Sequence, residues 1–123
     1  MDIVIWSVTA VLALGFLASG TVKLVSSPQR LVAAGYRWAA DFPPASIKCI
    51  GLAETAGAVG LVLPAVIDIR HLGAVAAAGL AVLMAGAVVT HLRRGERAQA
   101  AVPAVLAVLT AVVAALRFGP FPQ

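Results

Sequence analysis

Four apolar stretches, each long enough to cross a lipid bilayer, constrain this chain more than any other feature. Residues 3–22, 72–90 and 98–116 contain no charge, and residues 49–67 contain one, Glu54. A hydrocarbon core of about 30 Å takes roughly 20 residues of helix to cross, so each stretch can span it. Alternating segments of about ten residues, which a transmembrane barrel needs, are absent. The composition agrees: 62% of the 123 residues are hydrophobic and 11% are charged, whereas a water-soluble domain is about a quarter charged. Lipid must cover what charge does not. Disorder is excluded by the same hydrophobicity, and the single cysteine excludes an internal disulfide framework or CxxC pair.

Short links between spans make successive helices antiparallel. The expected fold is therefore all-α: one domain over residues 1–123, an integral membrane up-and-down four-helix bundle. The first stretch is read as an uncleaved span and not a signal peptide, because Met1-Asp2 supplies no basic leader. Lys23, Arg30, Arg37, Lys48, Arg93, Arg94 and Arg97 fall beside the first and third connections, against Arg70 and Arg117 on the other side. The bias of Lys and Arg toward the cytoplasm then places both termini outside it. The net charge of +4 is explained by this bias, with no soluble basic domain to dock on nucleic acid.

The long first connection has its own punctuation. Ser27-Pro28 is a helix start and Pro43-Pro44 a stop. A short interfacial helix is expected over residues 28–34, with Tyr36 and Trp38 as headgroup anchors or as cover for the mouth of a cavity. Within the spans, Gly51, Glu54, Ala58 and Leu61 follow helical spacing with Gly57 and Gly60 beside them, and Gly79 and Gly86 lie seven residues apart. Such small residues let membrane helices approach closely.

Glu54 is the residue that calls for chemistry. It falls near the middle of its span, where an ionised side chain costs at least about 2.5 kcal/mol. It must be neutral, paired or facing a wet cavity, either as a packing contact or as a proton acceptor and ligand contact. Lys23, one turn from Ser19 on the same face of the first span, is the basic partner nearest in depth. Roughly ten ångströms of axial rise separate the two backbones, so pairing needs the lysine to reach inward instead of snorkelling outward. His91 closes the third span and could carry protons, while no second histidine lies at ligand spacing for a metal or haem site. Asp68, Arg70 and His71 read as a solvated cap, Arg93, Arg94 and Arg97 as topology and lipid contacts, and Cys49 as a packing residue.

These residues also form a recognisable series. Phe16-x-x-Ser19-Gly20-x-x-Lys23-Leu24, Gly51-x-x-Glu54-x-x-Gly57-x-x-Gly60-Leu61, Gly35-Tyr36, Leu63-Pro64, Arg70 and His91, in this order, resemble the pattern of DoxX-like membrane proteins across nearly the whole chain. That family includes a subunit of thiosulfate:quinone oxidoreductase and proteins associated with membrane redox complexes. The resemblance implies a redox-associated protein with a quinone or other lipophilic small molecule as ligand and a redox partner protein. The matching polar positions are Ser19, Lys23, Glu54 and His91 as ligand contacts, with Glu54 and Lys23 as the candidate catalytic pair.

Three other functions fit the same residues. One is a membrane-embedded acid/base enzyme, an isomerase or epoxide-opening type, using Glu54. Another is a proton-coupled transporter: a lone intramembrane glutamate is similar to that of small multidrug resistance transporters, although theirs lies in the first span. The last is a structural partner, with contacts to membrane lipid, to another protein or to further copies of the chain.

Overall fold

The computed structural model describes residues 2–122. Four helices are long and apolar enough to cross a membrane: α1 (Asp2–Val25), α3 (Pro44–Val62, continued by a 3₁₀ turn Leu63–Ala65), α4 (Leu72–Arg93) and α5 (Arg97–Phe118). The short α2 (Pro28–Ala33) and a 3₁₀ turn (Arg37–Asp41) fill the first connection. The chain is thus an all-helical bundle, as its hydropathy requires. α1 packs chiefly on α3, α3 on α4 and α4 on α5, while α1 and α5 meet lightly.

The interior is a strip of medium-sized side chains, with Leu12, Phe16, Ala58, Leu61, Ala77, Leu80 and Val113 buried together. Valines and leucines such as Val11, Leu14, Val82 and Val108 face outward. In water that outer surface would be a liability; in lipid it is the contact layer. α2 begins as its sequence dictates: Ser27 Oγ accepts from the Arg30 N–H at 3.2 Å, with Pro28 in the first turn. Leu31, Ala39 and Ile47 form a second small core, with Tyr36, Trp38 and Phe42 packed against it.

Several expectations are corrected. Pro43-Pro44 follows the end of the 3₁₀ turn at Asp41, but it also starts a helix: Pro44 opens α3, since a first-turn residue has no intrahelical N–H bond to lose and proline's φ is already set. The second span therefore begins five residues earlier than the apolar stretch 49–67, and Val66 and Ile67 lie exposed beyond Pro64. Cys49 is exposed, because it falls off the buried stripe of Ile47, Gly51, Glu54, Ala58 and Leu61. Gly79 and Gly86 meet no neighbouring helix within 4 Å, so they face outward. The close approaches lie elsewhere. A Cβ at Gly60 would stand 2.8 Å from Ala76 Cβ, and one at Gly20 would stand 2.7 Å from the Gly51 carbonyl and 2.9 Å from Thr55 N.

Gly20 thus sets the α1–α3 distance against backbone that cannot yield. Gly20→Ala is expected to lower stability in micelles by about 1–3 kcal/mol. Gly79→Ala, with open space around it, should leave the unfolding midpoint unchanged.

Candidate functional site

Ser19, Lys23 and Glu54 converge where α1 and α3 touch. The glycine contact makes this possible: a Cβ at Gly51 would come within 2.9 Å of both the Gly20 carbonyl and Lys23 Cβ. Side chains on a helix lean toward its N-terminus. For Lys23, near the end of α1, that direction points into the bundle, toward the depth of Glu54. Its Nζ accordingly reaches Glu54 Oε1 at 2.7 Å and donates to Ser19 Oγ at 2.5 Å. The snorkelling alternative is not taken, for Lys23 is 7% exposed and Glu54 2%. The 2.7 Å approach is a charge contact off the hydrogen-bond direction, so Glu54 Oε1 has no aligned donor.

The first connection folds over this pair. Lys23 Nζ lies 5.7 Å from the Tyr36 ring centroid and 5.8 Å from that of Trp38, within cation–π range. Trp38 is itself met edge-on by Phe42 at 5.5 Å. Tyr36 and Trp38, both half-buried, thus lie beside the ion pair.

Lys48 is the residue the sequence reading missed here, having counted it only toward topology. From α3 its Nζ donates to the carbonyls of Lys23, Leu24 and Ser26 at 3.1, 2.6 and 3.0 Å. The last carbonyls of a helix lack intrahelical donors, and a lysine on the adjoining antiparallel helix at that depth is the signal that could have identified it. Lys48 thereby fixes the backbone that carries Lys23.

His91 is held apart from this cluster. Its Nδ1 lies 3.0 Å from Glu96 Oε1, and Arg94 Nε donates to the same oxygen at 3.2 Å. The His91 hydrogen bond, opposed by desolvation and reinforced by Arg94, holds the Glu96 carboxyl below its ordinary value. Arg94 also pairs closely with Asp41, which ties the turn before α5 to the first connection. No hydrogen bond or ion pair joins His91 to Ser19, Lys23 or Glu54 among the described residues. At the opposite end, Asp68, Arg70 and His71 are exposed, and Arg70 Nε donates to His71 Nε2 at 3.2 Å.

An apolar groove of about 430 Å³ runs between α3 and α4, with Ala53, Gly57, Gly60, Ala76 and Gly79 among its walls. Glu54 faces α1 and does not line it, although its neighbours Ala53 and Gly57 do.

With this geometry in view, comparison with known proteins gives one result. The model of the DoxX-like family matches residues 7–113. No curated protein matches, and no solved structure does.

The pair yields a direct energetic test. Glu54→Gln or Lys23→Met alone leaves a buried charge unmatched, and each should destabilise the protein by about 3–5 kcal/mol. The double variant Lys23→Met/Glu54→Met removes both charges and should recover most of that loss. A double-mutant cycle of unfolding in micelles measures it.

Proposed function

The chain belongs to the DoxX-like family, is an integral membrane protein, and from that premise we propose that it binds a quinone-like or other lipophilic small molecule at the Lys23–Glu54 cluster in a redox-associated role. The observation that carries this reading is a buried carboxylate paired with a lysine whose ammonium lies within cation–π range of two aromatic rings.

The residues suit such a molecule. An ammonium has three donors; Ser19 takes one, which leaves donors for a carbonyl oxygen. The pair is neutral overall, so an uncharged head meets no net repulsion. When bound, a quinone would supply the electron-accepting chemistry. Ser19, Lys23 and Glu54 would bind and orient its polar end, and Tyr36 and Trp38 would exclude water. Cys49 has no partner thiol in the chain, so electrons would arrive through a partner protein. The positive-inside bias supports both termini lying outside the cytoplasm, with Asp41 and Arg94 joining the two basic connections at one end.

A second reading has its own observation. Lys23 and Glu54 oppose one another's charge and are sealed from solvent, as a pure α1–α3 clamp would be.

Native mass spectrometry with solvent extraction, on gently solubilised wild type and Glu54→Gln, separates the two. Binding predicts a lipophilic species other than phospholipid, near one per chain, that is lost in the variant. Bulk phospholipid alone in both samples would leave the clamp.

A further inference from the structure

The end of the bundle away from Lys23 holds a buried cation that the proposed function does not use. Arg117, in the last turn of α5, is 3% exposed. Its Nη1 donates to the Phe121 carbonyl at 3.1 Å and lies 3.5 Å from Asp2 Oδ1. Its Cζ stands 4.9 Å from the Trp6 ring centroid. Nε and Nη2 are sealed from solvent and have no hydrogen-bond partner among the described residues.

Those two nitrogens form the side-on edge of the guanidinium, two parallel N–H donors spaced for the paired oxygens of a carboxylate or phosphate. Unfilled charged donors are costly in a site without water. Asp2 does not fill them, since its side chain is 71% exposed and its contact, at the limit of a hydrogen bond, goes to Nη1.

The same α1–α5 seam continues inward as a groove of about 300 Å³ lined by Ser7, Val8, Val11, Leu12 and Leu109. Ser7 follows Trp6 in the chain, and Leu109 lies about 12 Å from Arg117 along the axis of α5. The groove exists because α1 and α5 meet only lightly. The seam therefore has oxyanion donors at its end, hydrocarbon walls along its depth, and an indole at the level where tryptophans meet the membrane interface.

We propose that this seam holds one phospholipid, with its phosphate oxygens on the Nε–H and Nη2–H of Arg117 and an acyl chain in the groove. Charge complementarity selects this occupant. The donor edge calls for an oxyanion and the groove for a hydrocarbon chain, and a phospholipid carries both. Binding requires the sealed edge to turn toward the lipid past Asp2, whose carboxylate competes for the arginine and repels the phosphate.

The whole protein, delipidated in micelles, is titrated with phosphatidylglycerol, with diacylglycerol of the same chains, and with inorganic phosphate, and native mass spectrometry counts the molecules bound. The expected result is one phosphatidylglycerol per chain, bound about tenfold more weakly by Arg117→Gln, the loss of a charge-assisted hydrogen bond. Diacylglycerol should bind at least about tenfold more weakly than the phospholipid, and inorganic phosphate should not displace the lipid. Asp2→Asn changes an exposed position and keeps the test open if Arg117→Gln fails to fold. It should tighten phosphatidylglycerol binding by about twofold or more, as a screened like charge at the surface allows. Equal binding by wild type and Arg117→Gln, equal binding of diacylglycerol, or no tightening in Asp2→Asn would overturn the proposal. Displacement by inorganic phosphate would reduce the site to an anion pocket and overturn the lipid assignment.

Discussion

A carboxylate inside a lipid-covered bundle has to be neutralised, and in this protein that requirement fixes how α1 meets α3. Glu54 lies on the buried stripe of α3, so it cannot escape to water without turning the helix's apolar face with it. Lys23 answers it at 2.7 Å, but only because Gly20 and Gly51 let the two backbones close up. Lys48 then holds the end of α1 through three carbonyls. Glycine contact, ion pair and cap are therefore one unit: widening the helix separation would part the charges, and releasing the cap would free the residue that carries one of them.

The bundle's two ends are built differently. At the Lys23 end, the first connection forms a small core of its own and lays Tyr36 and Trp38 over the ion pair, while Arg94 joins that connection to the turn before α5. Polar groups there are largely matched by others in the chain. At the Arg117 end the α1–α5 seam is loose, the connection before α4 is exposed, and a buried guanidinium keeps two donors unmatched among the described residues. A bundle of this composition thus spends most of its few charges on internal contacts, and its outer surface is left to hydrocarbon.

Much of this was legible in the sequence because lipid simplifies the problem. Uninterrupted hydropathy marks spans without tertiary information, and the spacing of Gly51, Glu54, Ala58 and Leu61 marked the buried face of α3, where all four are buried. Ser19 and Lys23, four residues apart, likewise had to share a face. What stayed hidden depends on direction and depth. Pro43-Pro44 breaks one helix or begins another according to which side the chain continues from. Lys48 and Arg117 looked like topology signals, because a lysine or arginine at a span end has the same sequence appearance whether it snorkels outward or turns inward to carbonyls. The inward turn of Tyr36 and Trp38 depends on the small core of Leu31, Ala39 and Ile47, whose members are separated by eight residues each and come together only in the fold.

The chain contains two lysines, Lys23 and Lys48, and two glutamates, Glu54 and Glu96, so labelling by residue type is nearly site-specific. Solid-state NMR of protein in bilayers, with 15N on lysine Nζ and 13C on the glutamate carboxyl, measures the Lys23–Glu54 separation directly, and a Lys48→Arg variant removes the second lysine signal. One C–O bond beyond the 2.7 Å contact gives an expected N–C distance of about 3.5 Å, with dephasing abolished in Glu54→Gln. A separation beyond about 6 Å, outside the reach of a direct charge contact, would contradict the buried pair on which the packing of α1 and the site above it rest.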